Sequence, residues 1–181
     1  MGIDPGLSRC GYGLVGRAAG GGRDLQAVAA GVVETDPGEP LPERLCTLQH
    51  ELRALVCDFR PDTVVVERVF FQVNARTAMS VGQASGLALA AAADSGCDVV
   101  QYTANEVKQA VVGYGGATKE QVQRMVATAL NLGSVPRPPD AADALALAVC
   151  HLTTVPLRRA VARAAGGAPR KSPAAARGAV H

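Results

Sequence analysis

The run Thr63-Val64-Val65-Val66 constrains the fold of this chain more than any other feature. A continuous β-branched run is typical of a strand that is covered on both faces. Such a strand lies centrally in a sheet. Glu67 follows the run directly, and an ionised group at the end of an internal strand is costly unless it is paired, hydrated or metal-bound. We therefore expect a partner that requires the negative charge of Glu67, such as a metal ion, at this strand end.

The segments around this run follow the order of an α/β fold. Strands are predicted over residues 1–4, 10–17 and 25–35, which form a β-meander, and over 98–102. Helices are predicted over residues 42–59, 74–94, 105–112, 118–132 and 140–153. A meander followed by alternating helices and strands predicts a five-stranded mixed sheet with helices on both faces.

Composition limits the class of protein. With 181 residues, 48% of them hydrophobic and 19% charged, the chain can form one domain with a sizeable core. The most apolar stretch, residues 86–93, is far shorter than the ~20 residues of a membrane-spanning helix, and Asp4 interrupts any hydrophobic region of a signal peptide. The five cysteines are scattered and include no CxxC pair, so neither a disulfide framework nor a zinc cluster is predicted. We expect reduced thiols, no membrane association and a cytoplasmic location.

The net charge of +2 hides an asymmetry along the chain. Residues 157–181 contain six Lys or Arg and no acid, whereas residues 1–156 contain 12 basic against 16 acidic residues. The globular domain over 1–156 therefore carries −4 and the tail +6. Because the tail is rich in Ala, Gly and Pro, we expect it to be disordered. It acts either as a solvated tail that aids solubility or as a weak attractor of nucleic acid.

Three further acids resemble Glu67 in their placement. Asp4 ends the first predicted strand, and Asp140 and Asp143 share one face of the first turn of the last helix. Each has an ordinary structural interpretation, because Asp4 can initiate a turn, Asp140 can cap the helix and Asp143 can favour its dipole.

The four carboxylates can also meet at one edge of the sheet, where they would repel one another strongly. Divalent metal would relieve this repulsion, and ligation by oxygen alone selects hard ions such as Mg²⁺ or Mn²⁺. Two such ions about 3.5–4 Å apart are the usual apparatus of phosphodiester cleavage. The sequence therefore predicts a two-metal site.

Five motifs carry a family resemblance. They are residues 2–6 (GIDPG), 66–70 (VERVF), 106–109 (EVKQ) with Gly113 following, 119–122 (KEQV) and 140–146 (DAADALA). In order and spacing they resemble the RuvC family of bacterial Holliday junction resolvases over residues 1–153. The resemblance implies a ribonuclease-H-like nuclease domain, a homodimer, Mg²⁺-dependent nicking of two symmetric strands of a four-way DNA junction, and the branch-migration proteins RuvA and RuvB as partners.

The resemblance also implies a role for individual residues. The family's catalytic, metal-binding carboxylates match Asp4, Glu67, Asp140 and Asp143, its functional basic residues match Lys108 and Lys119, and its junction-contacting aromatic residue matches Phe70. The lysines could instead be solvated helical residues, and Phe70 could lie in the core. A lysine near a scissile phosphate can orient it, and an exposed ring can stack on unpaired bases. The first strand has only three residues before Asp4, fewer than is usual in the family, so we expect Asp4 to be held less firmly.

The predicted helix 74–94 carries a stripe of small residues. Its members are Ala78, Gly82, Ser85 or Gly86, Leu89 and Ala93. This stripe either packs on the helix's own sheet or meets the same helix of a second subunit, and two-fold symmetry would suit paired cuts.

Three other functions compete with junction resolution. A related nuclease acting on RNA would share the early Asp but would not predict Phe70 and the lysines. An actin-like ATPase or sugar kinase domain would need a second lobe, for which 181 residues leave no room. A catalytically silent junction-binding protein would not need all four carboxylates.

Overall fold

The central strand lies inside a five-stranded mixed sheet, which confirms the prediction. The computed structural model describes residues 1–18, 24–68 and 75–164. Its strands are β1 (Gly2–Asp4), β2 (Arg9–Arg17), β3 (Leu25–Glu34), β4 (Thr63–Glu67) and β5 (Asp98–Tyr102). Its helices are α1 (Leu41–Phe59), α2 (Ala75–Asp94), α3 (Ala104–Val112), α4 (Lys119–Ala129) and α5 (Pro139–Ala164). The strand order is β3-β2-β1-β4-β5, antiparallel among the first three and parallel from β1 to β5.

Helices cover both faces of the sheet, as the apolar run in β4 requires. Val64 and Val66 are fully buried against α1 and α2, and Val65 is fully buried on the opposite face beneath α3, α4 and α5. Alternate side chains of one strand therefore supply two separate cores. Within the described part of the chain, no helix is long and apolar enough to cross a membrane.

The three-residue strand β1 is bonded on both sides despite its length. It pairs with β2 and with β4, and the backbone N–H of Val65 donates to the carbonyl of Met1 at 2.7 Å. The terminal amine of Met1 donates to the carbonyl of Thr63 at 2.8 Å, and Ile3 is fully buried. The end of β1 is thus fixed by its neighbours, in contrast to the loose placement expected from its length.

The start of α5 lies directly on the sheet because the strand beneath it presents glycines. A Cβ atom at Gly11 would lie 2.1 Å from the carbonyl oxygen of Asp140, and one at Gly13 would lie 2.7 Å from the backbone nitrogen of Leu145. Gly11 is also the partner of Asp4 in the β1–β2 pair. The glycines therefore let the first turn of α5 approach the end of β1.

The last helix is longer than predicted. It continues to Ala164, whereas the pattern predicted an end at residue 153. Pro156 lacks an N–H donor and disfavours helix, but the Leu, Arg and Ala residues that follow it are strong helix formers. The segment predicted as a basic tail therefore begins inside a helix, and residues 165–181 lie outside the described residues.

We expect Gly11→Ala to be strongly destabilising, because its Cβ would push the backbone of α5 off the sheet. Overpacking of this kind costs about 1–3 kcal/mol, which lowers the melting temperature of a domain of this size by several degrees. Gly16→Ala on the same strand is the matched control, since its Cβ would meet only a side-chain atom of Val28 at 3.6 Å. Equal melting temperatures of the two variants would show that α5 does not depend on the glycine contact.

Candidate active site

Two parallel strands place two carboxylates side by side. In the β1–β4 pair Gly2 lies beside Val65 and Ile3 beside Val66, so the next position along this register brings Asp4 beside Glu67. Both side chains are half-buried at the carboxyl end of their strands. Strand ends that meet at one sheet edge are common places for ligand sites.

The first turn of α5 brings two more carboxylates to this edge. Asp143 lines a cavity of about 350 Å³ together with Asp4 and Glu67. Asp140 is not among the residues that line this cavity; it pairs with Arg9, and its charge still acts on Asp4. The cavity also contains both lysines singled out in the sequence, and the full lining is Asp4, Glu67, Ala104, Val107, Lys108, Lys119, Val122, Asp143, Ala146 and Leu147.

The carboxylates perturb one another. Burial, followed by the charges of Asp143 and Glu67, raises the pKa of Asp4 from 3.8 to about 7. Burial and the charge of Asp143 also raise the pKa of Glu67. Groups whose charged form is this unfavourable are typical of functional sites, where a ligand supplies the missing countercharge.

Helix α4 neutralises Asp143 with a positive charge. The Nζ atom of Lys119 lies 2.5 Å from Oδ2 of Asp143, and Nε2 of Gln123 donates to Oδ1 at 3.3 Å. Lys119 and Gln123 are four residues apart and share one face of α4. Burial alone would lower the pKa of Lys119, but the hydrogen bond and the charge of Asp143 outweigh it and raise this pKa.

Arg9 holds the other carboxylate of α5 and was missed by the sequence analysis. Its Nε atom donates to Oδ2 of Asp140 at 3.1 Å, and its Nη1 atom pairs with Glu34 on β3. Asp140 is 131 residues away in the chain, so no local pattern joins the two. The order of the strands did contain a signal. Because β2 runs antiparallel to β1, the start of β2 at Arg9 lies next to the end of β1 at Asp4.

The lysine-bearing helices begin at well-defined positions. Thr103 caps α3 and Thr118 caps α4, each in a capping box completed by Glu106 and Gln121 respectively. Two residues of the sequence motifs, Glu106 and Gln121, therefore fix helix starts. Lys108 is half-buried on α3 and reaches the same cavity as Lys119. Phe70 lies outside the described residues.

The donor set suits a hard divalent cation. Asp4, Glu67 and Asp143 supply only carboxylate oxygens, and a cation among them would offset the burial and the repulsion that together raise the pKa of Asp4. In the described ranges, however, no three Asp, Glu, His or Cys side chains converge tightly enough to hold an ion as they stand. Asp143 and Asp140 are engaged instead by Lys119 and Arg9, which would compete with an ion for these two carboxylates.

Comparison with known proteins first defines the class. The fold matches a yeast mitochondrial Holliday junction resolvase, Ydc2, with a TM-score of 0.64 over 87% of this chain and 79% of that one, at 12% identity. A Thermus thermophilus RuvC structure matches with a TM-score of 0.79 at 38% identity, covering 87% of this chain and 95% of the other. The fold is therefore that of the ribonuclease-H-like resolvases.

The family follows from sequence. The model of the family "Crossover junction endodeoxyribonuclease RuvC" matches residues 1–151. Proteins of that name from Chloroflexus aggregans and Salinispora arenicola are each 51% identical to this chain, over 156 residues (86% of this chain, 93% of the relative) and 170 residues (94% and 96%). The chain belongs to the RuvC family of Holliday junction resolvases, as the sequence motifs predicted.

The raised pKa of Asp4 predicts how the stability of the metal-free protein depends on pH. Because the folded state binds this proton more tightly than the unfolded state, the free energy of unfolding falls as pH rises from about 4 to about 7. Asp4→Asn removes this loss, so in EDTA at about pH 8 it should melt several degrees above the wild type, with a smaller advantage near pH 5. Melting curves of both proteins, with exposed Glu51→Gln on α1 as control, test this. A variant that melts at or below the wild type at high pH would contradict it.

Proposed function

We propose that this chain resolves four-way DNA junctions by cutting two symmetric strands through metal-dependent phosphodiester hydrolysis. The observation that carries the proposal is the cavity in which three carboxylates meet two lysines, in a chain of the RuvC family. A Thermus thermophilus RuvC in complex with a Holliday junction substrate has the same fold, with a TM-score of 0.80 at 38% identity, covering 87% of this chain and 94% of the other. That relative supports the substrate class.

The four carboxylates are the proposed ligands of Mg²⁺, with Mn²⁺ as a substitute and two ions in each site. They are Asp4, Glu67, Asp140 and Asp143. Ions held in this way activate the attacking water and stabilise the leaving oxygen. The residues fit this use, because Asp4 and Glu67 are fixed on adjacent strands while Asp140 and Asp143 share one helical turn.

The lysines have a different task, which is to bind and orient the scissile phosphate. Lys108 and Lys119 line one cavity from two different helices. In the structure Nζ of Lys119 pairs with Asp143, and a phosphate entering the cavity offers a second anionic partner. A positioned ammonium group also stabilises the negative charge that develops during phosphoryl transfer.

One assay separates this proposal from its alternatives. The protein is incubated with a mobile four-way junction, a linear duplex and an RNA–DNA hybrid, with and without Mg²⁺. We expect paired nicks in the junction alone and only with the metal. Preferential cutting of the hybrid would indicate the RNA-acting nuclease, and binding without cutting would indicate a silent junction-binding protein.

Neutralising any one of the four carboxylates should abolish cleavage and leave junction binding largely intact. Asp4→Asn, Glu67→Gln, Asp140→Asn and Asp143→Asn keep the side-chain shape and remove the charge that holds the metal, so we expect losses of at least about 100-fold. Cleavage rates and gel-shift affinities are measured side by side. The control is Glu51→Gln, which removes a charge from α1 on the opposite face of the sheet. Near-normal Mg²⁺-dependent cutting by one variant would remove that residue from the site.

Homodimerisation is proposed through helix α2. Part of the predicted stripe faces the core of its own sheet in the structure, because Ser85 is buried and Leu89 packs against that core. A Cβ atom at Gly82 or Gly86, by contrast, would have no neighbour within 4 Å among the described residues. Nearby Met79 is 67% exposed. This open face of small and apolar residues suits close approach by a second copy.

Gly82→Glu should split the dimer and convert paired incisions into single nicks. The added charge has room in the folded monomer, so we expect a normal melting profile and a halved mass by sedimentation. Gly133→Glu adds the same charge to an open loop position and should remain dimeric. A folded, dimeric Gly82→Glu protein would place the interface elsewhere.

Four further features belong to the same proposal. Phe70, in the segment that follows β4, is proposed to stack on bases at the junction. RuvA and RuvB are proposed partners, and the cytoplasm is the proposed location. The basic segment over residues 157–181 is proposed as an auxiliary attraction for DNA, separate from the nuclease domain over 1–156.

A further inference from the structure

A tyrosine stands exposed in the loop between the two lysine-bearing helices. Tyr114 is 66% exposed, whereas Tyr102 is buried and Phe59 is 36% exposed. Among the described aromatic side chains, Tyr114 therefore offers the largest free ring surface.

The loop that carries this ring is braced at both ends. Gly113 ends α3 with a φ of 83°, its N–H donates to the carbonyl of Gln109 at 3.0 Å, and Nε2 of Gln109 donates back to the carbonyl of Gly113 at 2.9 Å. At the other end Ala117 is buried, and its N–H donates to the carbonyl of Tyr114 at 3.2 Å. The backbone at Tyr114 is thus held by specific contacts.

The ring itself rests on a glycine. A Cβ atom at Gly116 would lie 2.5 Å from the Cζ and Oη atoms of Tyr114. The absence of a side chain at Gly116 therefore allows the ring to lie across the turn, with its other face open to solvent. Gly116 has no positive φ, so a small side chain there would displace the ring without straining the backbone.

Tyr114 lies close in the chain to Lys119, which lines the cavity of the candidate active site. The hydrogen-bonded turn keeps the Cα atoms of Tyr114 and Ala117 within about 7 Å, and Lys119 follows two residues later, at most about 8 Å further along the chain. The ring is therefore rooted within about 15 Å of Lys119. At about 3.4 Å for each nucleotide of a strand, this is within roughly four nucleotides of a phosphate held by that lysine.

We propose that Tyr114 is a DNA-contacting residue that stacks on a base near the scissile phosphate. DNA bases are the favoured occupant because Tyr114 lies in the chain between Lys108 and Lys119, which both line the candidate active site, and the loop from 113 to 118 contains no acid. Stacking is tolerant of sequence and requires a flat ring with one open face. The inference rests on the proposed function, since it takes its substrate from that proposal.

Three variants test the role of the ring. Tyr114→Ala removes the ring, Tyr114→Phe keeps it without the hydroxyl, and Gly116→Ala displaces it without changing its chemistry. For Tyr114→Ala we expect a rise of about 5- to 100-fold in the Kd and KM for the junction, with a small change in kcat. Tyr114→Phe should restore wild-type values, and Gly116→Ala should give an intermediate loss. Val28→Ala, which trims another exposed side chain on β3, is the control and should have no effect.

Two further readouts distinguish base stacking from charge neutralisation and from a loss of stability. The slope of log Kd against log salt should match the wild type, because no phosphate-neutralising charge is removed. Melting temperatures should also match, because the ring is exposed. A wild-type Kd for Tyr114→Ala would overturn the stacking role, and so would a loss that Tyr114→Phe fails to restore, because that loss would belong to the hydroxyl group and not to the ring. If the wild-type protein neither binds nor cuts the junction, the proposed function itself fails.

Discussion

Repulsion among four carboxylates at one edge of the sheet is the constraint around which the rest of the structure is arranged. Asp4 and Glu67 are fixed side by side because β1 and β4 are parallel and in register. Asp140 and Asp143 reach them because Gly11 and Gly13 let α5 approach the strands at main-chain distance. Burial and, after it, the charges of Asp143 and Glu67 raise the pKa of Asp4, so its charged form is unfavourable without a countercharge.

The chain supplies part of that countercharge itself. Lys119 pairs with Asp143 and Arg9 pairs with Asp140, while Asp4 and Glu67 have no ion pair among the described residues. The carboxylates are thus partly neutralised within the folded chain. Because Lys119 also lines the cavity, the proposed function has it turn to a phosphate once a cation neutralises Asp143.

Local patterns in the sequence predicted the elements that bear the site. The β-branched run located β4, and the strand predicted over residues 98–102 has the bounds observed for β5. Asp4, Glu67 and Asp143 were recognisable because each stands at the end of a strand or the start of a helix. The family motifs added Lys108 and Lys119. Without these motifs, both lysines would have been interpreted as solvated residues on a helix surface.

Contacts between distant segments could not be read from local patterns. Arg9 contacts Asp140, which is 131 residues away in the chain. The need for glycine at positions 11 and 13 of β2 is visible only once α5 is packed against them. The continuation of α5 beyond Pro156 was missed for another reason, since one unfavourable residue was outweighed by many favourable neighbours. Tyr114 gave no signal in the sequence, because its exposure is visible only in the folded chain.

The most direct test of the carboxylate site is a crystal structure of the protein grown or soaked with Mn²⁺, which locates the ion by anomalous scattering. We expect Mn²⁺ among Asp4, Glu67 and the aspartates of α5, with Nζ of Lys119 withdrawn from Asp143. An active, Mn²⁺-loaded protein in which Lys119 remains on Asp143 and no ion contacts Asp4 or Glu67 would contradict this expectation.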